Sequence, residues 1–104
     1  MGEVLGRRTT RVPIRVALRI AGDIGELYPG ETINVSLHGA LIESSAPFKV
    51  NDEIEIAVYL TGKTVKAQIV HASGTRLGIE LQKAQNVWGV TTVPDDWDSY
   101  ESLR

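Results

Sequence analysis

Two groups of side chains in this sequence have the types and the spacing to do chemistry. The first is a set of arginines near the start, Arg7, Arg8 and Arg11, with Arg7 and Arg11 spaced as RxxxR. A guanidinium is a planar fork that keeps its charge, so it is matched to phosphate oxygens. The second is Asn34 to Gly39, read as NVSLHG. Asn34 carries both an amide donor and a carbonyl acceptor, and the Ser36 hydroxyl can act as either. If Ile33 to Val35 is extended, Asn34 and Ser36 leave the backbone on one face. Gly39 suits a positive φ, or a place where another group must come close. Each group also has an ordinary reading. Arginines in a run are commonly a solvated basic arm, and Asn, Ser and Gly are the usual residues of a polar turn between strands.

Other chemistry is poorly supplied. The chain has no cysteine, which excludes disulfides and thiolate metal sites and is compatible with a reducing cytoplasm. His38 and His71 are the only histidines and neither lies in an HExxH spacing, so no metal is expected. A nucleophile and base would have to be Ser36 with His38 or His71 and a carboxylate. Ser36 and His38 are too close in sequence for that, and no oxyanion-forming element is recognisable, so no catalytic residue and no enzyme are expected.

The net charge of −2 lacks the basic excess of a general nucleic-acid binder. Its distribution says more. Residues 1 to 19 hold five arginines (Arg7, Arg8, Arg11, Arg15, Arg19) against Glu3, whereas residues 84 to 104 hold Asp95, Asp96, Asp98 and Glu101 against Arg104, giving a basic head and an acidic tail. No apolar run is long enough to span a bilayer, and Met1 to Leu5 is too short and too polar for a signal peptide. The expectation is a soluble, cytoplasmic protein without membrane insertion.

The elements that must position these groups follow from hydrophobic periodicity. At 104 residues the chain reads as one domain, 1–104, with an arm (1–11), a barrel (12–82) and a tail (83–104). The arm has no apolar periodicity and two glycines, and reads as flexible until a ligand or partner orders it. Val12, Ile14, Val16, Leu18 and Ile20 then alternate with polar or small residues, predicting a first strand whose start, at Pro13, lies at an edge or outside the sheet. Ala21 to Gly30, with three glycines and Pro29, reads as a loop. Glu31 to Val35 and Ala40 to Glu43 are predicted strands on either side of the NVSLHG turn.

After a connection from Ser44 to Asp52, Glu53 to Leu60 alternates with Ile54, Ile56, Val58 and Leu60 on one side. Thr61 and Gly62 turn the chain into Lys63 to His71, making a hairpin. Ala72 to Thr75 is a loop, and Arg76 to Leu81 a last strand with Leu77, Ile79 and Leu81 inward. Six such strands suit an all-β fold, a closed antiparallel barrel, because closure removes edges that would pair with other molecules. Beyond residue 82, Val87, Trp88, Val90, Val93 and Trp97 offer a lid of packing residues, and Pro94 to Asp96 a start for a short helix from Trp97 to Leu103.

RxxxR before the first strand and NxSxxG after the second, in an all-β chain of this length, together resemble the PilZ domain. LGIE at Leu77 to Glu80 also looks like that family's closing strand. The resemblance covers most of the chain. It implies a bacterial receptor for cyclic di-GMP, with no cofactor and no catalysis, that passes its signal to an effector protein.

By the family's pattern, Arg7 and Arg11 match the two motif arginines and Arg8 a frequent basic neighbour. Asn34, Ser36 and Gly39 match the second half, with Asn where the family takes Asp or Asn. His71 falls about where some members place an aromatic residue against a guanine. The residue types agree with such a ligand, since arginine can also bond guanine O6 and N7 or stack on the base, and Asn34 can pair with a guanine edge. Two rivals stand beside it: a PilZ-like interaction module without physiological ligand binding, and a small RNA-binding barrel. The second is weakened by the acidic balance and by the lack of a row of exposed aromatics.

If the arginines are a motif and not a diffuse basic surface, position must matter. Arg7→Ala and Arg11→Ala are each expected to weaken cyclic di-GMP binding by about 1.5–3 kcal/mol in a calorimetric titration, as for a charge-assisted hydrogen bond. The thermal midpoint should hardly move. Arg15→Ala, on the outward face of the first strand, is the control; an equal loss there would refute the motif.

Overall fold

The computed structural model describes residues 12–89. The arm with Arg7, Arg8 and Arg11, and the expected helix from Trp97 to Leu103, lie outside the described residues. Within them six strands, and no helix, are formed: β1 (Ala17–Ala21), β2 (Leu27–Val35), β3 (Gly39–Glu43), β4 (Glu53–Val58), β5 (Lys63–Ser73) and β6 (Arg76–Leu81). They close into an antiparallel barrel in the order β1-β2-β3-β6-β5-β4, with β1 paired to β4 from Leu18↔Val58 to Ala21↔Glu55. The alternating apolar residues explain it. Leu18, Ile20, Val35, Ile42, Ile56, Val58, Ile69 and Ile79 fill the interior and are essentially fully buried. Each such side chain contributes roughly 1.5–3 kcal/mol by leaving water. No helix of the described residues is long and apolar enough to cross a membrane.

The first predicted strand is only half a strand. Burial alternates from Val12 to Ile20 as expected, yet the ladder begins at Ala17, and Val12 forms only an isolated bridge to Val35. Counting from Ala17↔Glu31, regular pairing would place Pro13, not Val12, opposite Val35, so this segment holds one residue too many. Pro13 has no N–H to give a ladder, and it is exposed outside the strand. Thr32, 0% exposed, bridges the irregular stretch: its hydroxyl donates to Ile14 O at 2.6 Å and accepts from Val16 N at 2.7 Å.

The expected loop from Ala21 to Gly30 is half strand. Only residues 22–26 connect β1 to β2, so Pro29 and Gly30 lie within a ladder. Pro29 is tolerated because its carbonyl, and therefore its nitrogen, faces away from β1 to where β3 has ended; there the Ser44 hydroxyl donates to Pro29 O at 2.8 Å. Gly30 faces inward, where Ile42, Leu18 and Ile20 would stand 3.1–3.3 Å from any Cβ.

Two further boundaries move. β4 ends at Val58, and a four-residue turn closed by Gly62 N to Val58 O (2.8 Å) leaves Leu60 69% exposed at its tip instead of in the core. β5 runs on to Ser73 because Gly74, at φ +60°, turns the chain with Thr75 alone. His71 therefore sits inside β5, just after a bulge at Val70.

Thr32→Val keeps shape and burial but removes the hydroxyl that satisfies Ile14 O and Val16 N. It is expected to destabilise the fold by about 1–3 kcal/mol in urea unfolding, through one buried and one partly buried backbone group left short of a partner.

Candidate functional site

The turn between β2 and β3 is built on one serine. Ser36 N donates to Gly39 O at 2.8 Å, closing the turn. The Ser36 hydroxyl accepts from His38 N and Gly39 N, each at 3.2 Å, and points back at Gly39 O at 3.4 Å. Ser36 is 0% exposed, so in this arrangement its hydroxyl shapes the turn. Of the two reasons a glycine suits position 39, the close approach is the one found. Gly39 is not among the residues at positive φ, and a Cβ there would collide with Ile79 O across the β3–β6 pair. His38 is exposed at the tip of the turn.

Two backbone hydrogen bonds bring the start of the described chain to this turn. Val12 N donates to Val35 O at 2.8 Å, and Val35 N to Val12 O at 2.9 Å. Val35 lies between Asn34 and Ser36, so the segment that follows RxxxR is pinned to the middle of NxSxxG. Sequence reading took Val12 merely as the first apolar residue of a strand; nothing in its type marks it as an anchor.

Asn34 and His71 belong to one cross-strand row. The registers are Asn34↔Leu41, Leu41↔Gly78 and Gly78↔His71. Paired residues of an antiparallel ladder share a face. The flanking Val35, Ala40, Ile79 and Ile69 are buried inside, so this row lies on the outer wall. Over three strand spacings it spans roughly 14 Å. Asn34 is half-buried, and engaged with other groups, at one end; His71 is exposed at the other. Between them Gly78 has no side chain, and a Cβ there would stand 3.0 Å from His71 Cβ. The row carries an amide, the half-buried Leu41, a position without a side chain at Gly78 that is itself buried, and an imidazole, groups suited to a planar, hydrogen-bonding ring. Gly78 was passed over in the sequence because LGIE reads as a strand, although a glycine inside a strand is itself a signal of close approach.

Charges of both signs flank the row: Glu31, Glu43 and Glu80, with Arg15 and Arg76, the last paired with Glu43. Glu80 is exposed on the next row, paired with Gly39. On the other side Arg15 bridges Glu31 at 3.3 Å and Glu43 at 3.7 Å, as a surface arginine would. These exposed pairs contribute little stability, but they offset two carboxylates beside the row. The Arg7, Arg8, Arg11 segment leads directly into Val12 and would add to the positive charge available to an anionic ligand. Among the described residues no group of carboxylates and histidines could hold a metal ion.

Trp88 and Val87, expected as packing residues, are fully buried. The indole does more than fill space: Trp88 Nε1 donates to Ser36 O at 2.8 Å. Val90, Val93 and Trp97 lie outside the described residues.

Comparison with known proteins adds the family. A family model, the PilZ domain, matches residues 6–87, taking in both RxxxR and NVSLHG. The fold is similar to the crystal structure of the PilZ domain of CeSA from a cellulose-synthesizing bacterium, with a TM-score of 0.60 and 24% sequence identity over 91% of this chain and 94% of that one. No curated protein matches.

Gly39→Ala is expected to destabilise the barrel by about 1–3 kcal/mol in urea unfolding, because its methyl group meets the Ile79 backbone, which cannot move without disturbing the β3–β6 ladder. Gly78→Ala should be milder, since its methyl meets the His71 side chain at 3.0 Å and the nearest of the backbone atoms around it only at 3.8 Å.

Proposed function

Because the chain belongs to the PilZ domain family, we propose that it is a cyclic di-GMP receptor that passes the bound state to an effector protein in the bacterial cytoplasm. The observation that carries this reading is the Val12 and Val35 backbone pair, which joins the arginine-bearing segment to the Asn34–Gly39 turn beside the outer-wall row. The ligand is a ring of two guanosines joined through two phosphates. Arg7, Arg8 and Arg11 would meet its phosphate oxygens or guanine edges. Asn34 would read a guanine edge, and His71 would lie against a base over the space that Gly78 leaves. Ser36 and Gly39 would act by holding the turn. Catalysis is not part of this reading: the Ser36 hydroxyl, the nucleophile that the sequence suggested, is buried and bonded to its own turn.

A calorimetric titration with cyclic di-GMP tests the proposal. Saturable binding supports it, whereas its absence in folded protein would leave the reading of an interaction module that docks without ligand. A gel shift with generic RNA, expected to be negative, addresses the RNA-binding alternative.

Asn34 separates recognition from turn-shaping. If it reads guanine, Asn34→Asp should keep binding, because a carboxylate accepts from guanine N1 and N2, with some repulsion from the phosphates. Asn34→Leu should abolish binding by leaving those donors unpaired, at about 1–3 kcal/mol for each lost partner. If Asn34 only shapes the backbone, both substitutions should change the thermal midpoint, with Asp the milder, and leave affinity on the folded fraction intact. Calorimetry beside a thermal melt decides, and folded Asn34→Leu protein that binds like the parent would remove Asn34 from the site.

A further inference from the structure

The chain after β6 returns across the end of the barrel that holds the β2–β3 and β4–β5 turns. The last residue of β6 and the chain after it donate in succession to three consecutive carbonyls of the motif turn: Leu81 N to His38 O at 2.7 Å, Gln85 N to Leu37 O at 2.9 Å, and Trp88 Nε1 to Ser36 O at 2.8 Å. It is tied down on the far side as well. Thr61 Oγ1, in the β4–β5 turn, donates to Val87 O at 3.0 Å, and a Cβ on Gly89 would press on Leu60 and Thr61. With these bonds the Ser36 N–H, hydroxyl and carbonyl all have partners, the carbonyl through the indole of Trp88.

 The indole is 0% exposed, and its N–H is its one polar group, so the bond to Ser36 O fixes the ring against the turn from behind.

We infer that Trp88 is a positioning residue for the ligand turn and senses its occupancy through Ser36 O. The inference rests on the receptor reading above. A ligand that engages Asn34 and the turn acts on a backbone whose next carbonyls are held by this strap, so any adjustment of the turn is carried to the buried indole by a direct hydrogen bond. The opposite grip, Thr61 on Val87, then extends the connection to the β4–β5 turn, where Tyr59 and Leu60 stand exposed.

The test uses the full chain with Trp97→Phe, which leaves Trp88 as the sole tryptophan of the two. On titration with cyclic di-GMP, the Trp88 emission should change and saturate with the Kd that calorimetry gives for the same protein. Trp88→Phe keeps an aromatic ring but removes the N–H. On the folded fraction it should bind roughly five- to tenfold more weakly, the value of about one net hydrogen bond. A purely packing role would lower the thermal midpoint and move neither readout. Unchanged affinity in folded Trp88→Phe protein overturns the inference. If that variant does not fold, flat Trp88 emission through calorimetric saturation overturns it instead. In both cases the parent still binds and the receptor reading stands; a parent that shows no binding removes both.

Discussion

A buried serine sets the constraint on which this end of the barrel depends. Ser36 has three polar groups out of contact with water, and each left unpaired would cost about 1–3 kcal/mol. The N–H and the hydroxyl are satisfied within the turn, which requires the backbone to double back at Gly39. Doubling back brings β3 so close to β6 that position 39 has no room for a side chain. The carbonyl needs a donor from outside, and Trp88 supplies it, which draws the chain after β6 across the barrel end. The fixed turn, the glycine and the strap are thus consequences of satisfying one residue.

The alternation of apolar residues made the barrel legible in the sequence, because each strand has one buried face. Its failures have physical causes. Pro29 and Gly30 carry loop chemistry, but a strand accepts proline where its nitrogen faces no partner, and accepts glycine where neighbouring side chains fill the space. Val12 to Ile20 shows the reverse. Its burial alternates like a strand, yet its first half lacks a regular ladder, since Pro13 has no N–H and Thr32 takes over the bonding with its side chain. Periodicity reports which face is buried; it does not report who bonds the backbone.

The site was legible as a list of residues and not as an arrangement. Asn34, Ser36 and Gly39 stood out by type and spacing, but that Ser36 and Gly39 face the scaffold while Asn34 shares an outer row with His71 depends on register. Register is set by bulges after Thr32 and Ile69 that no residue type announces. Trp88 was visible as a large packing residue, but its polar role depended on where the chain after β6 returns.

In the receptor reading, the motif divides into residues that would touch the ligand and residues that hold the surface still. Ser36 could offer its hydroxyl outward only by releasing His38 N and Gly39 N, which would open the turn. Asn34, Leu41, Gly78 and His71 instead lie on a wall whose backbone is fixed on both sides by ladders. A surface already ordered loses little conformational entropy when it is occupied. The arginine-bearing segment enters this wall at a point set by two backbone bonds, Val12 to Val35 and back. In that reading the arginines add the charge that an anionic ring needs beside a wall of mixed sign, while the wall sets which planar groups fit beside them.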